Sequence, residues 1–194
     1  MQEEKEEQRA GRNKATLVDK GYISCGEYRK KFDSLSESKK LNRLLYTLAK
    51  KMLIHRSGTL YEDMYWIDPD KAEIVVKVTY STEEGMIVYS SKVNEEISNM
   101  IGLVTIHSHP AGLPPSIADF NSNFARHYSF GIVVGHNGRV YLYGSDQYID
   151  DNYFELKVAL YKMKGYNEYE ARTKAIEFCC EHFDIFYKEV ESDV

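Results

Sequence analysis

The sequence predicts an α+β domain in which helices flank a mixed β-sheet. Apolar runs of strand length, rich in β-branched residues, alternate along the chain with segments whose apolar residues recur every three or four positions. The composition agrees with this prediction, because 43% hydrophobic and 28% charged residues are typical of a soluble globular protein. At 194 residues the chain is long enough for one core.

The first strong helix signal follows a charged segment. Residues 1–33 indicate a charged leader and a short stretch that packs on the domain from outside. Ser34 begins a capping-box pattern, although Ser36 could cap instead, and apolar residues then recur at helical spacing. The helix is expected to end near Arg56.

Strand signals follow this helix. Residues 64–67 and 73–80 flank an Asp-Pro-Asp turn and predict a β-hairpin, while residues 86–89 are a candidate third strand. A short helix over residues 93–100 then precedes a buried strand at residues 101–106.

The remaining elements are a helix, a hairpin and a helical tail. The helix is expected over residues 116–127, and two strand-like runs around an Asn-Gly turn predict the second hairpin. His136 lies in that turn and is expected to face solvent. Helical segments then extend from residue 150 to about Val190, so the chain divides into a domain at residues 34–148 and a C-terminal helical extension at residues 149–194.

Charge and cysteine content exclude several classes of protein. A net charge of -5 gives no overall basic surface, so no nucleic-acid partner is expected. No apolar run is long enough to span a bilayer, and the charged start lacks the apolar core of a signal peptide. Three cysteines, two of them adjacent, form neither a disulfide framework nor a zinc knuckle. We therefore expect a cytoplasmic protein without a membrane partner, and an oligomer is possible.

The strongest functional signal is a pair of histidines at the end of the buried strand. His107 and His109 are two residues apart, so an extended chain presents both imidazoles on one face. A loop rich in proline and glycine follows, and Ser116 can cap a helix whose first turn carries Asp119. Two imidazoles and one carboxylate leave a fourth position open, as in a catalytic zinc site. The alternative is a histidine-rich loop that caps a helix without a metal.

These residues also resemble a family signature. His107-Ser-His109-Pro110 followed by Ser116-x-x-Asp119 is similar to the motif of the JAMM/MPN, or JAB-type, zinc metalloproteases. The loop between Pro110 and Ser116 is one residue shorter than in that motif. The resemblance covers roughly residues 34–145, favours a prokaryotic or phage-related member, and extends to RadC-like relatives. It implies a cytidine-deaminase-like mixed sheet flanked by helices, to which this chain would add the extra C-terminal helices.

The resemblance also implies a role for each site residue. His107, His109 and Asp119 would hold Zn²⁺, and a glutamate from an upstream strand would act as general base toward the zinc-bound water. Glu62 is our choice, because it comes just before a strand that should neighbour the strand of the two histidines. The side chain of the adjacent Asp63 would leave the opposite face.

Ser116 has two compatible roles, which the sequence does not separate. Its hydroxyl can cap the helix that carries Asp119, and in the family it also donates to the oxyanion of the tetrahedral intermediate.

The resulting functional hypothesis is a zinc-dependent hydrolase of isopeptide or peptide bonds. Its substrates would be proteins or peptides, with conjugates of a ubiquitin-like modifier among them. The alternative is a non-catalytic JAMM-like module that binds a partner, since a fold does not fix a function.

Overall fold

A computed structural model describes residues 13–192 of the chain. Six strands form one mixed sheet in the order β2-β1-β3-β4-β5-β6, with helices on both faces. The strands are β1 (Met64–Asp68), β2 (Glu73–Val78), β3 (Val104–His109), β4 (Phe130–Gly135), β5 (Val140–Ser145) and β6 (Ile185–Glu189). The helices are α1 (Gly26–Lys30), α2 (Lys39–Arg56), α3 (Ser91–Ile97), α4 (Ile117–Ala125), α5 (Asp151–Met163) and α6 (Glu168–His182). The predicted mixed sheet flanked by helices is confirmed.

The centre of the sheet is its one parallel pair. β3 pairs in parallel with β4 and antiparallel with β1, while β2, β5 and β6 add antiparallel neighbours outside this core. Parallel neighbours need a crossover connection, and here it carries α4. The carboxyl end of β3, which bears both histidines, therefore leads directly into the loop before α4.

The two faces of the sheet have separate cores, because side chains alternate along each strand. Tyr65 and Ile106 belong to the core under α2, in which residues of the N-terminal segment also take part. Trp66 lies on the other face, beside α3, and is fully buried. Farther along that same face, Phe120 packs with the buried side of α5 and α6.

The long helix α2 begins later than the sequence predicts. Ser38, rather than Ser34 or Ser36, is its N-cap, and the Ser38 hydroxyl accepts a hydrogen bond from the Leu41 amide. Ser36 instead donates its hydroxyl to the Asn42 side chain at 2.8 Å. Of the three serines, only Ser34 has the glutamate three residues later that a capping box requires, yet Ser38 is the cap and Ser36 bonds to Asn42.

The end of the predicted tail helix is wrong. α6 stops at His182, since Phe183 has extended dihedral angles, and residues 185–189 form β6 against β5. Within β6, Ile185 is buried whereas Phe186 is 44% exposed, which is the alternation of an edge strand. Residues of the C-terminal segment thus complete the sheet.

The candidate third strand at residues 86–89 is also wrong. These residues lie outside the sheet and connect β2 to α3 as irregular chain. The Gly85 amide donates to the Leu60 carbonyl at 2.9 Å, which holds the segment against the residues that precede β1.

The N-terminal segment contacts the main domain closely. Residues 1–12 of the expected leader lie outside the described residues. Beyond it, the Val18 amide donates to the Ser57 hydroxyl, and Tyr28 and Phe32 are fully buried against α2. Across residues 13–192, no helix is both long and apolar enough to cross a membrane.

Candidate metal centre

β3 and α4 bring the three predicted ligands together. His107 and His109 leave the same face of β3, and their Nε2 atoms lie 3.0 Å apart. Asp119 approaches from the first turn of α4, with Oδ1 at 3.3 Å from Nε2 of His107 and Oδ2 at 3.6 Å from Nε2 of His109. Three ligand atoms, one from each residue, therefore converge within 4.8 Å of one another.

The carboxylate is held by the helix cap. Ser116 and Asp119 form a capping box, in which the Ser116 hydroxyl accepts the Asp119 amide and Asp119 Oδ2 accepts the Ser116 amide at 2.6 Å. The Ser116 hydroxyl also donates to Asp119 Oδ2 at 2.7 Å. The capping role expected for Ser116 is observed, and it fixes the side chain of the third candidate ligand.

The imidazole of His109 has a defined orientation. Its Nδ1 lies 3.0 Å from the Leu113 carbonyl, an acceptor, so Nδ1–H donates to that carbonyl and Nε2 is the ring nitrogen that faces the cluster. Such a contact to the second nitrogen is the usual way in which a metal-binding histidine is oriented. His107 differs, because its buried Nδ1 has no hydrogen-bond partner among the described residues.

The short loop between the ligands is supported from the β4–β5 turn. Gly112 has φ +66, and its carbonyl accepts hydrogen bonds from Asn137 Nδ2 at 3.3 Å and the Tyr141 hydroxyl at 3.1 Å. A Cβ atom at Gly112 would overlap the Asn137 side chain. Glycine is therefore required on two grounds, a left-handed backbone and a close approach.

His136 corrects one expectation for that turn. It is buried rather than solvent-exposed, its amide donates to the His109 carbonyl, and its Nδ1 lies 2.8 Å from the Thr16 carbonyl. Burial lowers the pKa of His136 below its ordinary value, which favours the neutral ring. The N-terminal segment, from which Thr16 comes, explains the burial; nothing in the local turn sequence indicates it.

Glu62 lies opposite the ligand strand. Met64 pairs with His107 in the antiparallel register, and Ser108 donates its amide to the Asp63 carbonyl at 3.0 Å. Continuing this register places Glu62 across from His109 on the same face, since directly opposed residues share a face. Glu62 lines the same cavity as the three candidate ligands and is 6% exposed.

The two carboxyl groups of the site have opposite electrostatic environments. Burial raises the pKa of Glu62 from 4.5 to about 7, against the lowering effect of His109 and with a further raising effect from Asp119. Burial also acts to raise the pKa of Asp119, but His107, His109 and the Ser116 hydroxyl outweigh it and hold that pKa well below its usual range. Asp119 is thus the permanent anion, and Glu62 is the group that can exchange a proton near neutral pH.

A cavity of about 760 Å³ opens over these residues. One wall is the irregular segment around Met86 and Ile87, and the other is the ligand loop with Leu113 and Pro114. Tyr143 closes part of the floor, in a position that Gly131 leaves open, because a Cβ there would overlap the Tyr143 ring. A mostly apolar cleft with a few convergent polar groups is the usual form of a binding site.

Asp63 lies on the opposite face of the chain from Glu62, as expected. Its carboxylate contacts the end of α2, with Oδ2 at 2.7 Å from His55 Nδ1 and Oδ1 at 2.5 Å from Arg56 Nε. Both the Asp63 and the Arg56 side chains are almost fully buried. Asp63 and Arg56 form a polar layer on the face of β3 opposite the three candidate ligands.

The donor set, two imidazoles and one carboxylate, is of the kind that binds zinc in proteins. Two ligand atoms at tetrahedral zinc lie about 3.3 Å apart, given bond lengths near 2.0 Å. The shortest separations in the cluster are 3.0, 3.3 and 3.6 Å, but Asp119 makes the last two through different oxygens. With one ligand atom from each residue, the three atoms lie within 4.8 Å of one another. Among the described residues, no hydrogen-bond acceptor contacts His107 Nδ1, so this imidazole lacks the orienting contact that His109 has.

Comparisons of this chain with protein-family models, with curated proteins and with solved structures find no match. The interpretation of the site therefore depends on its own geometry.

The sequence did not indicate the residues that support the site. Asn137, Tyr141 and His136 contact the ligand strand or loop from the β4–β5 hairpin. Only the parallel pairing of β3 and β4 brings this hairpin beside the loop, and pairing between strands is not visible in local sequence. For the same reason, the local sequence did not indicate that Asp63 and Ser108 are neighbours.

Proposed function

We propose that this protein is a zinc-dependent hydrolase of peptide or isopeptide bonds, of the JAMM type that the His-Ser-His-Pro motif resembles. One observation carries the proposal. A buried carboxyl group with a pKa near 7, Glu62, lines the same cavity as a cluster of two imidazoles and an ionised carboxylate. Structural ion pairs do not need a neighbouring proton acceptor of this kind, whereas hydrolysis does.

His107, His109 and Asp119 would hold the metal. Zinc in such a site supplies a Lewis acid that polarises a carbonyl and lowers the pKa of water. His109 is oriented for this role by Leu113, and Asp119 by the capping box with Ser116. The pKa of Asp119 lies well below its usual range, so its carboxylate stays ionised and available to a cation at neutral pH.

Glu62 would act as the general base and then as the general acid. Its pKa of about 7 lets it accept a proton from the attacking water and return that proton to the leaving amine. The Glu62 side chain is shielded from bulk solvent, which favours transfer between the carboxylate and the reacting groups over exchange with water.

The cavity supports an extended polypeptide as the substrate. It runs between the irregular segment at residues 84–89 and the ligand loop, and most of its lining is apolar. A chain lying between these walls would present a carbonyl to the cluster. A protein conjugated to a ubiquitin-like modifier is one source of such a chain, and an unmodified peptide is the other.

The first experiment measures zinc in the purified protein by elemental analysis, for the wild type and for His109→Ala. We expect about one zinc per chain in the wild type and a loss of at least about 100-fold in affinity in the variant, since even supporting contacts contribute 10- to 100-fold. His182→Ala is the matched control, because His182 stacks on Phe178 in α6 and belongs to no ligand cluster among residues 13–192. A wild type that binds no zinc after reconstitution would overturn the proposal.

The second experiment separates catalysis from binding. Glu62→Gln retains the size of the side chain and removes the proton acceptor, so we expect zinc to be retained while cleavage of a fluorogenic peptide library falls at least about 100-fold.

One observation favours the non-catalytic module. The Ser116 hydroxyl proton is directed to Asp119, so in this arrangement it is not available to an oxyanion. If the loaded wild type binds zinc but cleaves neither peptides nor isopeptide-linked conjugates, the module replaces the hydrolase.

A further inference from the structure

The hydrogen-bond ladder between β1 and β3 ends in an unusual residue pair. Regular backbone pairing ends where Met64 faces His107. One residue further, the Ser108 amide donates to the Asp63 carbonyl at 3.0 Å, but the Asp63 amide donates to the Ser108 hydroxyl, at 3.1 Å, instead of to a carbonyl. The serine side chain thus completes the ladder in place of a backbone acceptor.

The hydrogen-bonded bridge between Ser108 and Asp63 lies beside the residues to which the proposed hydrolysis assigns roles. Ser108 separates the two histidine ligands, and Asp63 immediately follows Glu62. Because side chains alternate along a strand, the bridging groups are behind the sheet while Glu62, His107 and His109 face the cavity. Ser108 is fully buried, so water does not compete for its hydroxyl.

The Asp63 side chain makes further contacts on the face of the sheet away from the cavity. Its carboxylate contacts His55 and Arg56 at the end of α2. These contacts join the helix, the segment before β1 and the ligand strand into one connected unit. A carboxylate with charged contacts on its far side resists displacement of its own backbone.

We propose that Ser108 and Asp63 are positioning residues, which set the distance of Glu62 from the metal ligands. The inference rests on the proposed hydrolase function. Glu62 belongs to no regular strand, and the residue after it is held to β3 by two hydrogen bonds, one of which the Ser108 hydroxyl accepts. A displacement of about 1 Å at a reacting group can reduce a rate by 10²-fold.

The test compares Ser108→Ala in two backgrounds. In the wild-type background we expect kcat for peptide cleavage to fall about tenfold, the size of one lost hydrogen bond. KM and the zinc dissociation constant, measured by chelator competition, should stay within about threefold, because the lost contact touches neither substrate nor metal. In the Glu62→Gln background the same substitution should cause no further loss, since the group that it positions no longer acts.

Ser145→Ala is the matched control. It removes another buried serine hydroxyl, which donates to the Gln147 carbonyl at the end of β5, and we expect it to leave kcat unchanged.

The other possible results would contradict either the positioning role or the proposed function. Equal losses from Ser108→Ala in both backgrounds, or a loss of kcat that parallels a loss of bound zinc, would overturn the positioning role. An active wild type with unchanged kcat in Ser108→Ala would overturn this inference alone. A zinc-loaded wild type without hydrolase activity would overturn the proposed function, and this inference with it.

Discussion

The two faces of the ligand strand differ in the surroundings of their polar side chains. Behind the strand, hydrogen bonds and ion pairs join Asp63 to Ser108 and to the end of α2. In front of it, Glu62 is buried with a raised pKa, and His107 Nδ1 has no partner among the described residues. The rear face contributes stability, whereas the front face retains groups whose interactions are incomplete, as functional sites commonly do.

Arg56→Met tests the rear face and should have the largest effect on stability. It leaves the buried Asp63 carboxylate without its arginine, and breaking a buried pair in this way costs about 3–5 kcal/mol. Urea unfolding at pH 7 would measure the loss. Lys51→Met, at an exposed position of the same helix, is the control and should change the free energy of unfolding by no more than about 0.5 kcal/mol. Equal effects of the two substitutions would contradict a supporting role for the rear face.

Glu62→Gln tests the front face, and at pH 8 it should raise the free energy of unfolding, whereas Arg56→Met should lower it. A carboxyl whose pKa is higher in the folded protein contributes stability at low pH, and that contribution is lost as the pH rises through the folded pKa. A rise from 4.5 to about 7 corresponds to about 3 kcal/mol lost between pH 4 and pH 8. The metal-free variant should therefore be the more stable protein at pH 8, by up to about 3 kcal/mol.

Unfolding curves at pH 5 and pH 8 check this prediction in protein treated with a chelator. Glu84→Gln, at the exposed rim of the same cavity, is the control and should keep the pH dependence of the wild type. The front-face interpretation fails if Glu62→Gln also keeps it.

Gly112→Ala tests the ligand loop, and we expect a loss of about 1–3 kcal/mol. The substitution introduces a side chain at φ +66 and an overlap with Asn137. Gly85→Ala is a close control, since Gly85 has the same φ of +66 but no atom within 4 Å of the added Cβ. The difference between the two melting temperatures isolates the close approach to Asn137. Equal shifts would show that the loop can move away at no cost.

Ser116→Ala should have the smallest effect on folding, about 1 kcal/mol for a lost helix cap. Ser90→Ala removes the comparable cap of α3, where the hydroxyl accepts the Val93 amide, and it provides the control for capping alone. Because Ser116 also orients Asp119, we expect zinc affinity to fall about tenfold in Ser116→Ala only. Chelator competition would measure both variants, and equal affinities would exclude an orienting role.

Residues that act through neighbours in sequence were the predictable part of this molecule. The spacing of His107 and His109, the cap at Ser116 and the hairpin around Asn137 all depend on local rules, and the structure contains each of them. The predictions that failed depend on distant contacts. Residues 185–189 continue a pattern that a helix could use, and only the free edge of β5 makes them a strand.

The burial of His136 shows the same limit. An Asn-Gly turn normally faces solvent, but residues from the N-terminal segment cover this one. The polar layer behind β3 was missed for a related reason, because the partners of Asp63 come from α2 and from β3 at once. Sequence patterns report the period of an element and carry no information about which elements become neighbours.

The three candidate ligands lie in one continuous stretch, from His107 to Asp119, whereas Glu62 comes from a distant part of the chain. Closing so short a loop costs little entropy, so an unfolded chain would already hold a cation weakly through these residues. Metal ions that also bind the unfolded state stabilise the native state less than their native affinity suggests. A metal ion held by these residues would therefore be captured early in folding, while Glu62 joins the three ligands only when β1 and β3 have paired.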